Sequence, residues 1–454
     1  MRPSRLVALA ILACLPFAAT PAPAATLGER AYRAGIDAYL YGYPPLLSRL
    51  TADNVPGQTL VNIAALTDPG NRVIVAPNVD TPYSVANLDL AAEPLVLHVP
   101  AITGRYYVFE LLDAYTNVIG YVGSRTTGTA AGDYALTGPG FTGTVPAGVS
   151  RIKSPTNRIV VVGRTLALGP GDLPNVRAIQ QQYGLTPLSA VAAGESPRPG
   201  VILDSSQGLT TPVLPTGLAF FDAVGALLAD QPPPARDARL LARLRAFGIG
   251  PGLSPSTADL DPAVKSGLER AAAAGPARVE GLVAALRRRS AGANQGWVLE
   301  TRGVGRYGTD YGLRALIASQ GLWANTAEEA LYPTADQDAS GRRLDGRRRY
   351  AVHFAKGRLP PARAFWSLTM YDGALHLYAN ELDRYALGDR SSGMRRDRDG
   401  GLTIYLQHAR PAAARVGNRL PAPAGRFTVA LRLYSPAQRA LSGRWKPPGI
   451  VRAG

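Results

Sequence analysis

Cysteine is all but missing: Cys14 is the one thiol in 454 residues. It lies in an N-terminal segment that reads as a removable leader. The processed chain would then have no disulfide, no thiolate zinc site and no cysteine nucleophile. A chain of this length builds a core without such staples. Histidine is nearly as scarce. His98, His353, His376 and His408 form neither H-x-H nor H-E-x-x-H, which removes the usual zinc signatures. There is no G-x-S-x-G for a serine nucleophile, and no G-x-G-x-x-G between a strand and a helix for a dinucleotide. The stretch Gly248–Gly252 reads as a loop. No apolar run reaches the ~20 residues that a bilayer span needs.

Lysine is rare too: Lys153, Lys265, Lys356 and Lys446 stand among 49 basic residues, so the net charge of +16 is carried by arginine. Arginine-rich surfaces can hold carboxylate or phosphate bidentately; the plainer reading is solubility and long-range steering of acidic partners. Acidic residues interleave with the basic clusters at Arg342-Arg343, Arg347–Arg349 and Arg395-Arg396. That pattern fits a solvated face and argues against nucleic acid.

Residues 1–25 carry Arg2 and Arg5, then apolar Leu6–Ala19, then the small run Ala22-Pro23-Ala24-Ala25. This is the anatomy of a secretory signal, so a periplasmic or secreted protein is expected. A lipoprotein through Cys14 is the lesser alternative, because Leu12 and the residues after Cys14 do not suit it.

The rest of the chain reads as α+β. A helix is expected over Leu27–Leu50, bent or ended at Pro44-Pro45. Short strands follow at Val73–Ala76, Pro94–Val99, Arg105–Leu112 and Arg158–Gly163. In Arg105–Leu112, Tyr107, Phe109 and Leu111 alternate with Tyr106, Val108 and Glu110, which puts the two sets on opposite faces. A helix is expected over Asp172–Tyr183 and a linker over Pro187–Pro215. Helices then cover Leu218–Leu228, Asp237–Phe247 and Asp261–Arg289, the last interrupted at Gly275-Pro276. Strand character returns after Tyr332, in Arg349–Phe354, Ala364–Tyr371, Leu402–Gln407 and Arg426–Tyr434. The expected organisation is a signal (1–25), an N-terminal β-rich domain with a leading helix (26–190), a linker and helical segment (191–325), and a C-terminal domain (326–454). The N-terminal module is expected to be sandwich- or barrel-like.

Polar and aromatic residues are densest between Val75 and Thr127. Asn78, Tyr83, Arg105, Tyr107, Tyr115, Asn117 and Arg125 are the candidate ligand-binding residues there, closed by Trp366 and Asp372 from the second module. Such a set suits a small polar or anionic ligand. Asp80 and Asp113 are the candidate catalytic carboxylates, because glycoside cleavage needs two such groups across one bond. Against that, Asp80 in N-V-D-T-P can cap its own turn, and Asp113 can order a strand exit. Glu110 and Asp113 have opposite parity and should face apart. The turn Asp336–Gly341 begins like a calcium loop, but Arg347 stands where the bidentate acid belongs. No metal or cofactor is expected.

The segments VDTPYSVANLDL, GRYYVFELLDAYTNVIGYVGSRTTGTAAGDYALTGPGF and SPTNRIVVVGRT resemble the domain of unknown function 1254. FWSLTMYDGALHLYANELDRYALGDR, DGGLTIYLQHARP, NRLPAPAGRFTVALRLYSP and WKPPGIV resemble its C-terminal companion, the domain of unknown function 1214. The resemblance spans nearly the whole chain after the leader. It implies two β-rich modules, the second jelly-roll-like, joined by helices, in a protein that is often exported. It implies no reaction. Asn380–Gly388 and Asn418–Pro423 depart from the usual pattern at several side chains. Two functions therefore stand side by side: a hydrolase acting on a carbohydrate or other polar substrate, and a non-catalytic cell-envelope binding or interaction protein. Whether it is an enzyme, and whether it forms homo-oligomers, stay open.

Overall fold

A computed structural model describes residues 25–72, 75–205 and 210–453. The leader, Cys14 and the first two residues of the expected strand Val73–Ala76 lie outside that set.

Thr26 starts the first helix, α1 (Leu27–Ala52), by accepting a hydrogen bond from the Glu29 amide at 3.2 Å. Pro44 and Pro45 were expected to bend or end it, yet both lie inside a helix that continues for another two turns. Both are buried, so tertiary packing outweighs the lost amides.

The N-terminal module follows: β1 (Val61–Ile63), β2 (Tyr83–Asp89), β3 (Leu95–Val99), β4 (Tyr107–Asp113), β5 (Val118–Gly123), β6 (Gly132–Thr137), β7 (Val149–Lys153), β8 (Arg158–Thr165), α2 (Leu173–Gln180), β9 (Gly184–Pro187), α3 (Leu188–Ala192) and β10 (Val201–Leu203). One sheet runs β10-β1-β2-β8-β4-β5 and the other β7-β6-β3-β9. Neither path closes into a barrel. The two sheets share a core of Leu88, Leu97, Tyr107, Phe109, Leu111, Leu136 and Val161. The odd residues of β4 enter this core, as alternation requires. The even ones face the other way.

The expected linker after Pro187 is not one. Val201–Leu203 pairs in parallel with Val61–Ile63 and extends the larger sheet.

The helical segment comprises α4 (Leu218–Asp230), α5 (Ala238–Arg245), α6 (Pro262–Ala293) and α7 (Tyr311–Gly321). Gly275-Pro276 does not interrupt α6. A β-carbon at Gly275 would sit 2.4 Å from the Tyr39 ring, so this glycine lets α6 approach α1 closely.

The C-terminal module holds β11 (Ala330–Leu331), β12 (Thr334–Ala335), β13 (Tyr350–Phe354), β14 (Ala362–Asp372), β15 (Ala386–Gly388), β16 (Leu402–Gln407), β17 (Arg419–Pro421), β18 (Phe427–Pro436), α8 (Gln438–Leu441) and β19 (Ile450–Arg452). Its sheets run β11-β18-β14-β15, with β12 also on β18, and β17-β16-β13-β19. Trp366, Leu368 and Met370 of β14 meet Val429, Leu431 and Leu433 of β18 in the core between them. The protein is thus α+β, with two β-rich modules joined by helices.

A cleft where the two modules meet

The outward face of β4 meets the outward face of β14 and β18. Tyr106, one residue ahead of β4, packs with Phe365 at 5.6 Å and with Tyr434 at 5.4 Å between ring centres. Phe365 and Tyr434 stack at 4.3 Å. Above this aromatic knot opens a cleft of about 740 Å³, whose walls come from both modules. That volume is in the range of small-molecule sites.

Arg105, Arg125, Arg363 and Arg390 line the cleft. Three of them are pinned from behind. Arg105 holds Asp172 through both terminal nitrogens, at 2.6 and 3.1 Å, and these hydrogen bonds pull the Asp172 carboxyl well below the usual range. Arg125 donates Nε to Glu329 at 2.6 Å, while the other Glu329 oxygen accepts from the Tyr106 hydroxyl at 2.6 Å. Arg390 donates Nη2 to Asp80 at 2.7 Å and lies 4.2 Å from the Phe365 ring centre. Its buried Nε has no hydrogen-bond acceptor among the described residues. Arg363 is exposed and pairs with no acid among the described residues. Glu328 is the acidic residue in the lining, and it faces Arg306 at 3.3 Å. Arginine pinned by its own carboxylate keeps a fixed pose and leaves donors for an oxyanion.

Behind the cleft lies Glu110, fully buried. One oxygen accepts from Arg164 at 2.9 Å and the other has no partner among the described residues. Burial pushes its carboxyl up to about 7, against the opposing pull of Arg164.

The structure separates the expected site residues. Arg105 and Arg125 line the cleft. Asp80 stands behind it, 8 % exposed, with Oδ2 accepting from Ser367 at 2.6 Å. Asn78 ties its own turn, accepting from the Asp80 and Thr81 amides and donating to the Tyr83 hydroxyl at 2.7 Å. Asp113 lies at the far end of the sheet. Asp113 is level with Ile159 on β8, and Tyr83 with Arg164. Those levels are five residue steps apart on β8, about 16 Å, and Asp80 lies beyond Tyr83, so Asp80 and Asp113 cannot act on one bond. Asp113 instead accepts from the Tyr115 and Asn117 amides and the Asn117 side chain. The Tyr115 hydroxyl donates to the Gln231 carbonyl at 2.6 Å, within the helical core. Tyr107 is in the N-terminal core and Trp366 in the C-terminal core, so neither reaches the cleft. Asp372 caps its own turn and pairs with Arg72 at 3.6 Å.

Sequence reasoning missed Arg363, Arg390, Glu329 and Ser367. Arg363 directly precedes the strand-like AFWSLTMY, but nothing in its spacing pairs it with Arg105.

Geometry thus defines an α+β protein whose two β-rich modules enclose an arginine-lined cleft. The family described as "Protein of unknown function (DUF1254)" matches residues 58–187, and "Protein of unknown function (DUF1214)" matches residues 329–438. The chain pairs these two domains in that order and belongs with the proteins that combine them. The cleft sits at their junction. The VPA0106 protein from Vibrio parahaemolyticus is similar along 93% of this chain and 100% of its own, at 24% identity and a TM-score of 0.67, which shows a shared fold. An uncharacterized protein from Burkholderia cenocepacia matches over 93% of this chain and 94% of its own, at 14% identity and a TM-score of 0.45. No curated protein matches the chain. No described helix is long and apolar enough to cross a membrane.

Proposed function

We propose that this protein binds a small organic oxyanion, a carboxylate or a phosphate, in the cleft between its modules, without covalent chemistry. One observation carries the reading: Arg363 has no acidic partner among the described residues and stands in a cleft with three arginines already held in place by acids behind them. A ligand oxyanion would supply the missing counter-charge and meet pre-oriented donors.

The hydrolase alternative has less support. Asp80, Asp113 and Asp372 are each bound by amides, hydroxyls or arginine. Glu110 has a free oxygen but does not line the cleft. The leader-like first residues are the sole ground for placing this binding role in the periplasm or outside the cell.

The test is calorimetric titration at low salt with phosphate and with mono-, di- and tricarboxylates. Binding near or below about 1 mM, weaker in salt and reduced at least tenfold by Arg363→Ala, is expected. No binding by any of these ions up to ~10 mM would sink the reading.

A further inference from the structure

Charge covers only part of the cleft. Leu166, Leu168, Pro436 and Leu441 line the remainder. Leu168 is 55% exposed, and of the exposed large apolar side chains among the described residues it is the one in this lining. Its place is fixed. The Leu168 amide donates to Asp172 Oδ2 at 2.9 Å, the same carboxylate that clamps Arg105. One acid therefore sets an apolar side chain and a guanidinium side by side on the N-terminal wall. The facing wall repeats the combination, with Arg363 followed by exposed Ala364 at the start of β14, and Leu441 ending α8. A bare phosphate or acetate would fill little of about 740 Å³ and leave this apolar surface wet.

Resting on the oxyanion reading above, we infer that the natural ligand is amphiphilic: an oxyanion head joined to a short apolar chain or ring. The head sits among Arg125, Arg363 and Arg390, and the apolar part lies against Leu168 and Leu441. Lined this way, the cleft selects by both charge and chain length. Each methylene that leaves water against it tightens binding by about fourfold until the apolar wall is covered.

The experiment titrates the full-length processed protein with acetate, butanoate, hexanoate and octanoate, with the matching alkyl phosphates, and with octylammonium as the cationic control. Affinity should climb along both anionic series, and octylammonium should not bind. Leu168→Ser should flatten the climb and leave acetate and inorganic phosphate unchanged, whereas Arg363→Ala should weaken every anion by the same factor. The series that binds tighter at equal chain length identifies the head group as carboxylate or phosphate. Equal affinity for acetate and octanoate would overturn the amphiphile and leave the oxyanion reading standing. Octylammonium binding as tightly as octanoate would also overturn it, because the apolar wall would then act without the arginines. Failure of every anion removes both readings.

Discussion

Asp113 and Asp372 end interior strands of the two modules, β4 and β14, with the same turn. In each, one carboxylate oxygen accepts the amides two and four residues on, at 2.8 to 2.9 Å. The residue three places on has positive φ although it is not glycine: 62° at Thr116 and 65° at Leu375. The two differ in burial. Asp113 is 2% exposed and also holds the Asn117 side chain, whereas the Asp372 side chain is 30% exposed and faces Arg72. Identical local chemistry thus carries different energies, because water can replace a lost acceptor in one turn and not in the other.

The largest effect should come from breaking the buried turn. Asp113→Ala should cost about 4 kcal/mol in urea unfolding, since three donors lose a charged acceptor away from water. A loss under about 1 kcal/mol would show that the buried turn relaxes as freely as the exposed one.

Three residues upstream, Glu110 sharpens the contrast: a buried acid on the same strand that is only half satisfied. Its folded value of about 7 lies above the ordinary 4.5, so the folded state holds the proton more tightly. The sign follows: this group's contribution is fully present below the unfolded value and falls away as pH rises toward 7. Wild type should lose up to ~3 kcal/mol from this group across that window, and Glu110→Gln should remove that part of the slope. Parallel pH profiles for wild type and variant would disprove it.

Asp372→Ala should cost about 1 kcal/mol, because solvent reaches the freed amides. Smallest is the backbone term. Leu375→Gly relieves an unfavourable positive φ but gives up a half-buried side chain, so it should change stability by no more than about 0.5 kcal/mol. Thr116→Gly should gain less, because it also empties a buried position. Thermal midpoints of the two variants, measured together, decide the order.

Much of this architecture was legible locally. The alternation of Arg105–Leu112 gave the two faces of β4. That Asp113 could order its strand exit was visible in its neighbours, whereas the expected Asp80 cap is not formed: Asn78 ties that turn and Asp80 reaches across to Ser367 and Arg390. Where the reading failed, a distant partner had decided. Val201–Leu203 looks like linker because its neighbours are glycine and proline, and it becomes a strand by pairing with Val61–Ile63. Gly275-Pro276 looks like a break because the Tyr39 ring that it accommodates is on another helix. The cleft was half legible. Arg105 and Arg125 stand out in the first module, but Arg363 and Arg390 join them only through packing that no spacing encodes.

The turn ahead of β2 has a consequence in time. Its Asp80 binds Ser367, 287 residues later, its Pro77 carbonyl takes the Tyr371 hydroxyl, and its Ala76 carbonyl takes Arg432. At roughly 5–20 residues per second of synthesis, about 15–60 s pass before Ser367 exists. For that interval the nascent first module displays a hydrated acid and two hydrated carbonyls on the surface that will be sealed. Completion of its fold is scheduled by the arrival of the second module, which gives a physical reason for the two domains to travel on one chain.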